Sequence, residues 1–106
     1  GLTIEEGSEQ TCLFDALIRE YTGTERHLLV ELKTDDSMPM CRMAVGQLLD
    51  YRRYQEDRAA VDLAVLFPAK PTRGALAFLG VVGVKAIWFD GSMTKIIGDV
   101  TLKEGT

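Results

Sequence analysis

The stretch Val61-Asp-Leu-Ala-Val-Leu-Phe67 constrains the fold more than any other part of the chain. It is a short, nearly continuous apolar run stopped by Pro68 and Pro71. Such a run is short for a helix and too apolar for a strand with one wet face. It predicts a strand covered on both sides, and so a sheet to which other elements supply the cover.

The flanking segments supply candidates for that cover. Thr3–Glu6 reads as a short first strand, Cys12–Tyr21 as a second and Arg26–Lys33 as a third, rich in Leu and Val. Between the last two, Thr22-Gly23-Thr24 reads as a turn, because Gly supplies a left-handed position. Thr34–Ser37 is a loop ending in a helix cap, with Ser37 as acceptor and Pro39 in the first turn. From Met38 to Asp57 the period becomes helical, with Met40, Met43, Ala44, Leu48 and Tyr51 on one stripe. After Val61–Phe67 come a short helix at Arg73–Leu79, an apolar connection at Gly80–Val84 and a strand at Lys85–Asp90. A turn at Gly91-Ser92 follows, and Thr94–Val100 adds a hairpin partner. The order β-β-β-α-β-α-β specifies an α/β fold with a mixed β-sheet flanked by helices.

At 106 residues the chain is one domain, 1–106, with no repeats or linkers. It does not begin with Met, which fits an excised piece of a longer protein. No apolar run approaches the ~20 residues of a membrane span, and the start lacks the basic and apolar regions of a signal peptide. Cys12 and Cys41 match no zinc spacing and read as reduced thiols, so a cytoplasmic location is expected. The net charge of −4 argues against a general nucleic-acid coat. It leaves open an enzyme that meets phosphate through metal ions, because such a site must itself concentrate acid.

The hairpin carries the chemistry. With its turn centred on Gly23, paired residues have numbers summing to 46. Asp15 then faces Glu31, Leu17 faces Leu29, and Arg19 faces His27. Directly opposed carboxylates, ~5 Å apart at Cβ, repel one another. A hard divalent cation between them reverses that sign. Lys33, two residues beyond Glu31, projects from the same face, where its ammonium can hold an attacking water or balance charge on phosphate. Leu32, on the other face, is expected to be buried, with its backbone carbonyl as a further metal ligand. On the helix that follows, Gln47 and Tyr51 are four apart and share a face. Gln47 can position a water or the Lys33 ammonium, and Tyr51 can reach a phosphate.

An acid on the second strand, Glu31-Leu-Lys33 on the third and Gln47-Leu-Leu-Asp-Tyr51 on the next helix resemble the PD-(D/E)XK (restriction-endonuclease-like) nuclease superfamily, closest to its RecB-like branch. The resemblance covers residues 3 to 92. Phe14 stands where the family name has Pro. The family's first helix has no room before Thr3, so its counterpart is expected upstream, on a partner chain, or lost; Glu5 or Glu6 is a candidate for its carboxylate. The resemblance implies a Mg²⁺- or Mn²⁺-dependent nuclease hydrolysing phosphodiester bonds in DNA, with RNA less favoured. It implies Asp15, Glu31 and the Leu32 carbonyl as metal ligands, and Asp15, Glu31, Lys33, Gln47 and Tyr51 as the catalytic set. The competing reading is a non-catalytic domain of the same fold, used for nucleic-acid docking or assembly.

Other residues read more plainly. Arg52 and Arg53 extend the helix and are candidates for phosphate contact, against the alternative of a solvated helical face. His27 reads as a solvent-facing polar residue. Asp35 and Asp36 precede a helix N-terminus, where acids are favourable. Trp88 and the four Met residues read as core or gap fillers. A homodimer, or attachment to further domains, fits a domain too small to grasp a duplex alone.

Overall fold

The computed structural model describes residues 3–5, 16–23, 25–93 and 95–103. The strands β1 (Thr3–Glu5), β2 (Ala16–Arg19), β3 (His27–Leu32), β4 (Val61–Phe67), β5 (Lys85–Phe89), β6 (Lys95–Gly98) and β7 (Leu102–Lys103) form one sheet in chain order. Two helices, α1 (Met38–Arg52) and α2 (Arg73–Val81), complete the fold. The sheet is mixed: β3, β4 and β5 are parallel, and the outer pairings are antiparallel.

The β2–β3 register is the one expected. Ala16 pairs with Val30, Leu17 with Leu29, and Ile18 with Leu28. Both strands are shorter than the sequence suggests. Glu20 already has φ +50, and Gly23 turns the chain at φ +75, so Glu20 and Tyr21 belong to the turn. The predicted strand residues Cys12 to Asp15, and Glu6, lie outside the described residues.

β4 is interior, between β3 and β5. Its odd-numbered residues Leu63, Val65 and Phe67 join Leu17, Leu29 and Ala86 under the helices, with Cys41, Ala44, Val45 and Leu48 of α1 and Ala75 and Leu79 of α2. Ala64 faces the other way, into a second cluster with Ile18, Leu28, Val30, Ile87 and Leu102. Both helices therefore lie on one face, as crossovers of one hand along an advancing strand order require. The other face is covered by Ile96, Val100 and Leu102 of the β6–β7 region, where the sheet curls back on itself. The expectation of helices flanking the sheet is corrected accordingly.

Two details of α1 also differ from expectation. Its buried stripe is Cys41, Ala44, Val45 and Leu48, whereas Met43 is 53% exposed. The helix ends at Arg52 rather than Asp57, through tight i→i−3 turns at Tyr54 and Gln55. Ser37 makes no side-chain cap. Instead the Asp35 carboxylate accepts from the Ser37 N–H at 2.9 Å, and Pro39 occupies the first turn as expected. Among the methionines, Met38 packs on the core but Met93 is 62% exposed.

Candidate active site

β3 runs toward the N-terminus of α1, and its last turns of pleat carry the predicted Glu31 and Lys33. Both share the helix-covered face with Leu29. They are nearly sealed from solvent, at 5% and 8% exposure. Lys33 Nζ lies 3.4 Å from Glu31 Oε1, an ion pair looser than a good hydrogen bond. Burying two charges is costly unless they are paired and further satisfied. The parallel ladder places Val65 beside Glu31, and the Lys33 N–H donates to the Leu66 carbonyl at 3.0 Å. Pro68, without an N–H, cannot donate in turn, so the ladder stops at the level of Lys33 and the strands part there.

Leu32 faces the opposite side and is 48% exposed. Its expected burial is corrected: β3 gives Leu28 and Val30 to the sheet's second cluster, and Leu32 lies beyond them at the end of the strand. Helix α1 lies across β3 and β4, and Gln47 and Tyr51 are both half-buried on it. Tyr51 packs against the core beneath the helices. Gln47 Oε1 is buried and accepts no hydrogen bond among the described residues. A buried amide oxygen of this kind ordinarily has a partner. Asp15, the expected second carboxylate, lies outside the described residues.

Arg52 and Arg53 sit at the other end of α1. The segment just beyond them, Tyr54–Asp57, lines a cavity of about 440 Å³ with His27 and Val61, the first residues of β3 and β4. Four residues of strand, roughly 13 Å, separate His27 from Glu31. Arg53 is held locally, 2.6 Å from Asp50 and 2.7 Å from the Tyr54 hydroxyl, over whose ring its guanidinium stacks at 4.3 Å. His27 Nδ1 accepts from the Glu20 N–H at 3.0 Å, which makes it a turn-closing residue.

Two polar arrangements had no clear sequence signal. At the entry end of β3, the Arg26 guanidinium grips both oxygens of Asp62, with Nη2 at 2.6 Å from Oδ1 and Nε at 3.0 Å from Oδ2. The Tyr21 hydroxyl donates to the same Oδ2. The hydrogen bond from Arg26 holds the Asp62 carboxyl below the usual carboxylate range. Burial, then the bond to Asp62, pushes the Tyr21 phenol up to about 12. At the exit end, Asp36 Oδ2 accepts from the Thr72 N–H at 2.7 Å, tying the β3–α1 loop to the start of α2. Asp36 was visible only as an acid before a helix; its true partner is 36 residues away.

No protein-family model and no curated protein matches this sequence. Among solved structures, the fold is similar to the crystal structure of a repair endonuclease from Pyrococcus abyssi, with a TM-score of 0.60 and 15% sequence identity. The match covers 81% of this chain and 37% of that one, so this chain spans little more than a third of that protein's length. What the two share is a fold: a mixed α/β sheet with two helices, of the kind found in a repair endonuclease.

Proposed function

We propose that the chain is a metal-dependent nuclease domain of the PD-(D/E)XK class, related to its RecB-like branch, and that its substrate is DNA in preference to RNA. The observation that carries the reading is the Glu31–Lys33 pair, sealed on the helix-covered face where β3 and β4 part. A purely structural pair gains little from such burial, whereas a site that handles phosphate needs a carboxylate and an ammonium in a dry, fixed setting.

The donors present suit Mg²⁺ or Mn²⁺. Glu31 offers a carboxylate, and Gln47 Oε1 is a buried oxygen with an open acceptor among the described residues. Among those residues no three His, Cys, Asp or Glu side chains converge as a metal cage. Few protein oxygens, with water and phosphate completing the shell, is the pattern such ions accept. Glu31 and the Leu32 carbonyl would hold the ion. Asp15 is proposed as the second carboxylate, because numbers summing to 46 pair it with Glu31. When bound, the ion supplies an acidified water and neutralises charge at the phosphate.

The chain's own groups do the rest. Lys33 donates to the attacking water or to a non-bridging phosphate oxygen, where negative charge grows as the new P–O bond forms. Glu31, 3.4 Å away, holds that ammonium in place. Gln47 Oε1 accepts from the water, fixing its direction, and Tyr51 donates to phosphate from the next turn of α1. The test is incubation with single-stranded DNA, duplex DNA and RNA in Mg²⁺, Mn²⁺ or EDTA. Cleavage of DNA with either metal and none in EDTA is expected. Equal cleavage in EDTA, or none with any substrate, overturns the reading.

A further inference from the structure

The strands β3 and β4 end side by side, joined by the Lys33 N–H to Leu66 carbonyl bond. From there the chain runs Pro68-Ala-Lys70-Pro71-Thr72 into α2, whose first residue is Arg73. Asp36 holds this loop through the Thr72 N–H, so it cannot swing away from the β3–α1 loop without losing a bond. Two prolines restrict the backbone on either side of Lys70. Lys70 and Arg73 are both exposed. Among the described residues, neither takes part in an ion pair or a side-chain hydrogen bond.

The acids at this end are differently placed. Asp36 accepts from Thr72, Asp35 accepts from Ser37, and Glu31 is paired with Lys33. Each carboxylate is engaged in holding a loop or a neighbouring cation, while the two outer cations are not. At the opposite end of α1, Arg53 is already matched by Asp50. We infer that Lys70 on the β4–α2 loop and Arg73 at the start of α2, at the end of the sheet where β3 and β4 stop beside each other, are the surface on which the DNA phosphodiester backbone is positioned, rather than Arg52 and Arg53. The inference rests on the nuclease reading and extends it to the path of the substrate. A backbone laid along this loop passes the mouth of the Glu31–Lys33 site. A backbone anchored at Arg52 and Arg53 would instead meet the start of β3.

Salt dependence tests this, because each neutralised phosphate contributes about −0.9 to the slope of log K against log salt on duplex DNA. The probe is a short fluorescein-labelled duplex, with Ca²⁺ in place of Mg²⁺, followed by anisotropy from ~50 to ~200 mM salt. Lys70→Ala/Arg73→Ala should flatten the slope by about 2 and weaken binding on the order of tenfold near 0.1 M salt. Arg52→Ala/Arg53→Ala should leave the slope in place. Both variants change exposed or half-exposed residues, and a thermal melt checks that each is folded. In Mg²⁺ the Lys70/Arg73 variant should need on the order of tenfold more enzyme to reach half-maximal single-turnover cleavage, since it holds the backbone less tightly. An unchanged slope in that variant overturns the inference even if the chain cleaves DNA. A flattened slope in a chain that cleaves nothing keeps the surface and removes the catalytic reading. Failure to bind the duplex at all removes both.

Discussion

The two ends of the β3–β4 pair solve the same problem in opposite ways. At the entry end, Arg26, Asp62 and Tyr21 form a clasp that is short, bidentate and half-open to water. At the exit end, Glu31 and Lys33 are sealed from water yet stand 3.4 Å apart. A fastening is expected to be tight where tightness is cheap, and the clasp is. The buried pair is loose where looseness is expensive, and on the helix that covers that face an amide oxygen, Gln47 Oε1, is buried and accepts no hydrogen bond among the described residues. The contrast is between a group of residues that holds strands together and the one proposed to meet phosphate.

The sharpest way to break that contrast is to neutralise the buried acid. Glu31→Gln should reduce cleavage on the order of a thousandfold, because it removes charge from the point where phosphate charge is handled. It leaves the Lys33 ammonium buried without its partner, so it should also cost about 3 kcal/mol of stability, and the rise in melting temperature that Mn²⁺ binding would give the unaltered chain should be lost. If cleavage persists, Glu31 belongs with the fastenings.

Removing the other partner tests the burial itself. Lys33→Met leaves a carboxylate sealed beside an apolar chain, and should cost about 3 kcal/mol in urea unfolding. The double variant Glu31→Gln/Lys33→Met should recover most of that loss, since no buried charge remains. Additive losses in the double variant would mean the two groups do not sense each other.

At the clasp the effects are smaller and appear as pH dependence. The folded Asp62 carboxyl titrates below its unfolded value, so its stabilisation is complete above about pH 4 and fades as pH falls through the folded value. Asp62→Asn should cost about 1 kcal/mol at neutral pH and flatten the acid limb of stability. Tyr21 runs the other way. Its folded value near 12 exceeds the ordinary 10, so its contribution is present below about pH 10 and is lost as pH climbs toward 12. Tyr21→Phe should cost only a few tenths of a kcal/mol. It should also remove the highest of the tyrosine transitions in an ultraviolet absorbance titration; a titration still showing that transition would assign it to Tyr51 or Tyr54.

The entry end was the less legible of the two. Arg26 and Tyr21 lie beside a turn and Asp62 lies 36 residues beyond Arg26, so no local pattern links them. The exit end was readable because its logic is local: a Gly23 turn sets the register, alternation puts Glu31 and Lys33 on Leu29's face, and an apolar run marks β4 as interior. Helix α1 misled for a physical reason. Apolar residues occur on both its sides, with Leu49 and Met43 exposed, so a stripe through Met40 and Met43 looked as good as the true one through Cys41 and Val45. The cover on the sheet's second face comes from Ile96, Val100 and Leu102 joining one cluster with Ile18, Leu28 and Val30, a long-range grouping that periodicity does not report.

That every strand lies beside its neighbour in the chain has a kinetic consequence. The antiparallel β2–β3, β5–β6 and β6–β7 pairs can each zip from a short connection, whereas the β3–β4 and β4–β5 joints require a longer segment to double back. Closing loops of that size is the slow, entropically costly part of assembly. The larger of the two closures carries α1 with it, and α1 is also the roof over Glu31 and Lys33. Their desolvation therefore falls in the same step as that closure, so the double variant Glu31→Gln/Lys33→Met, with no charge to bury, should refold faster while the hairpins form as before.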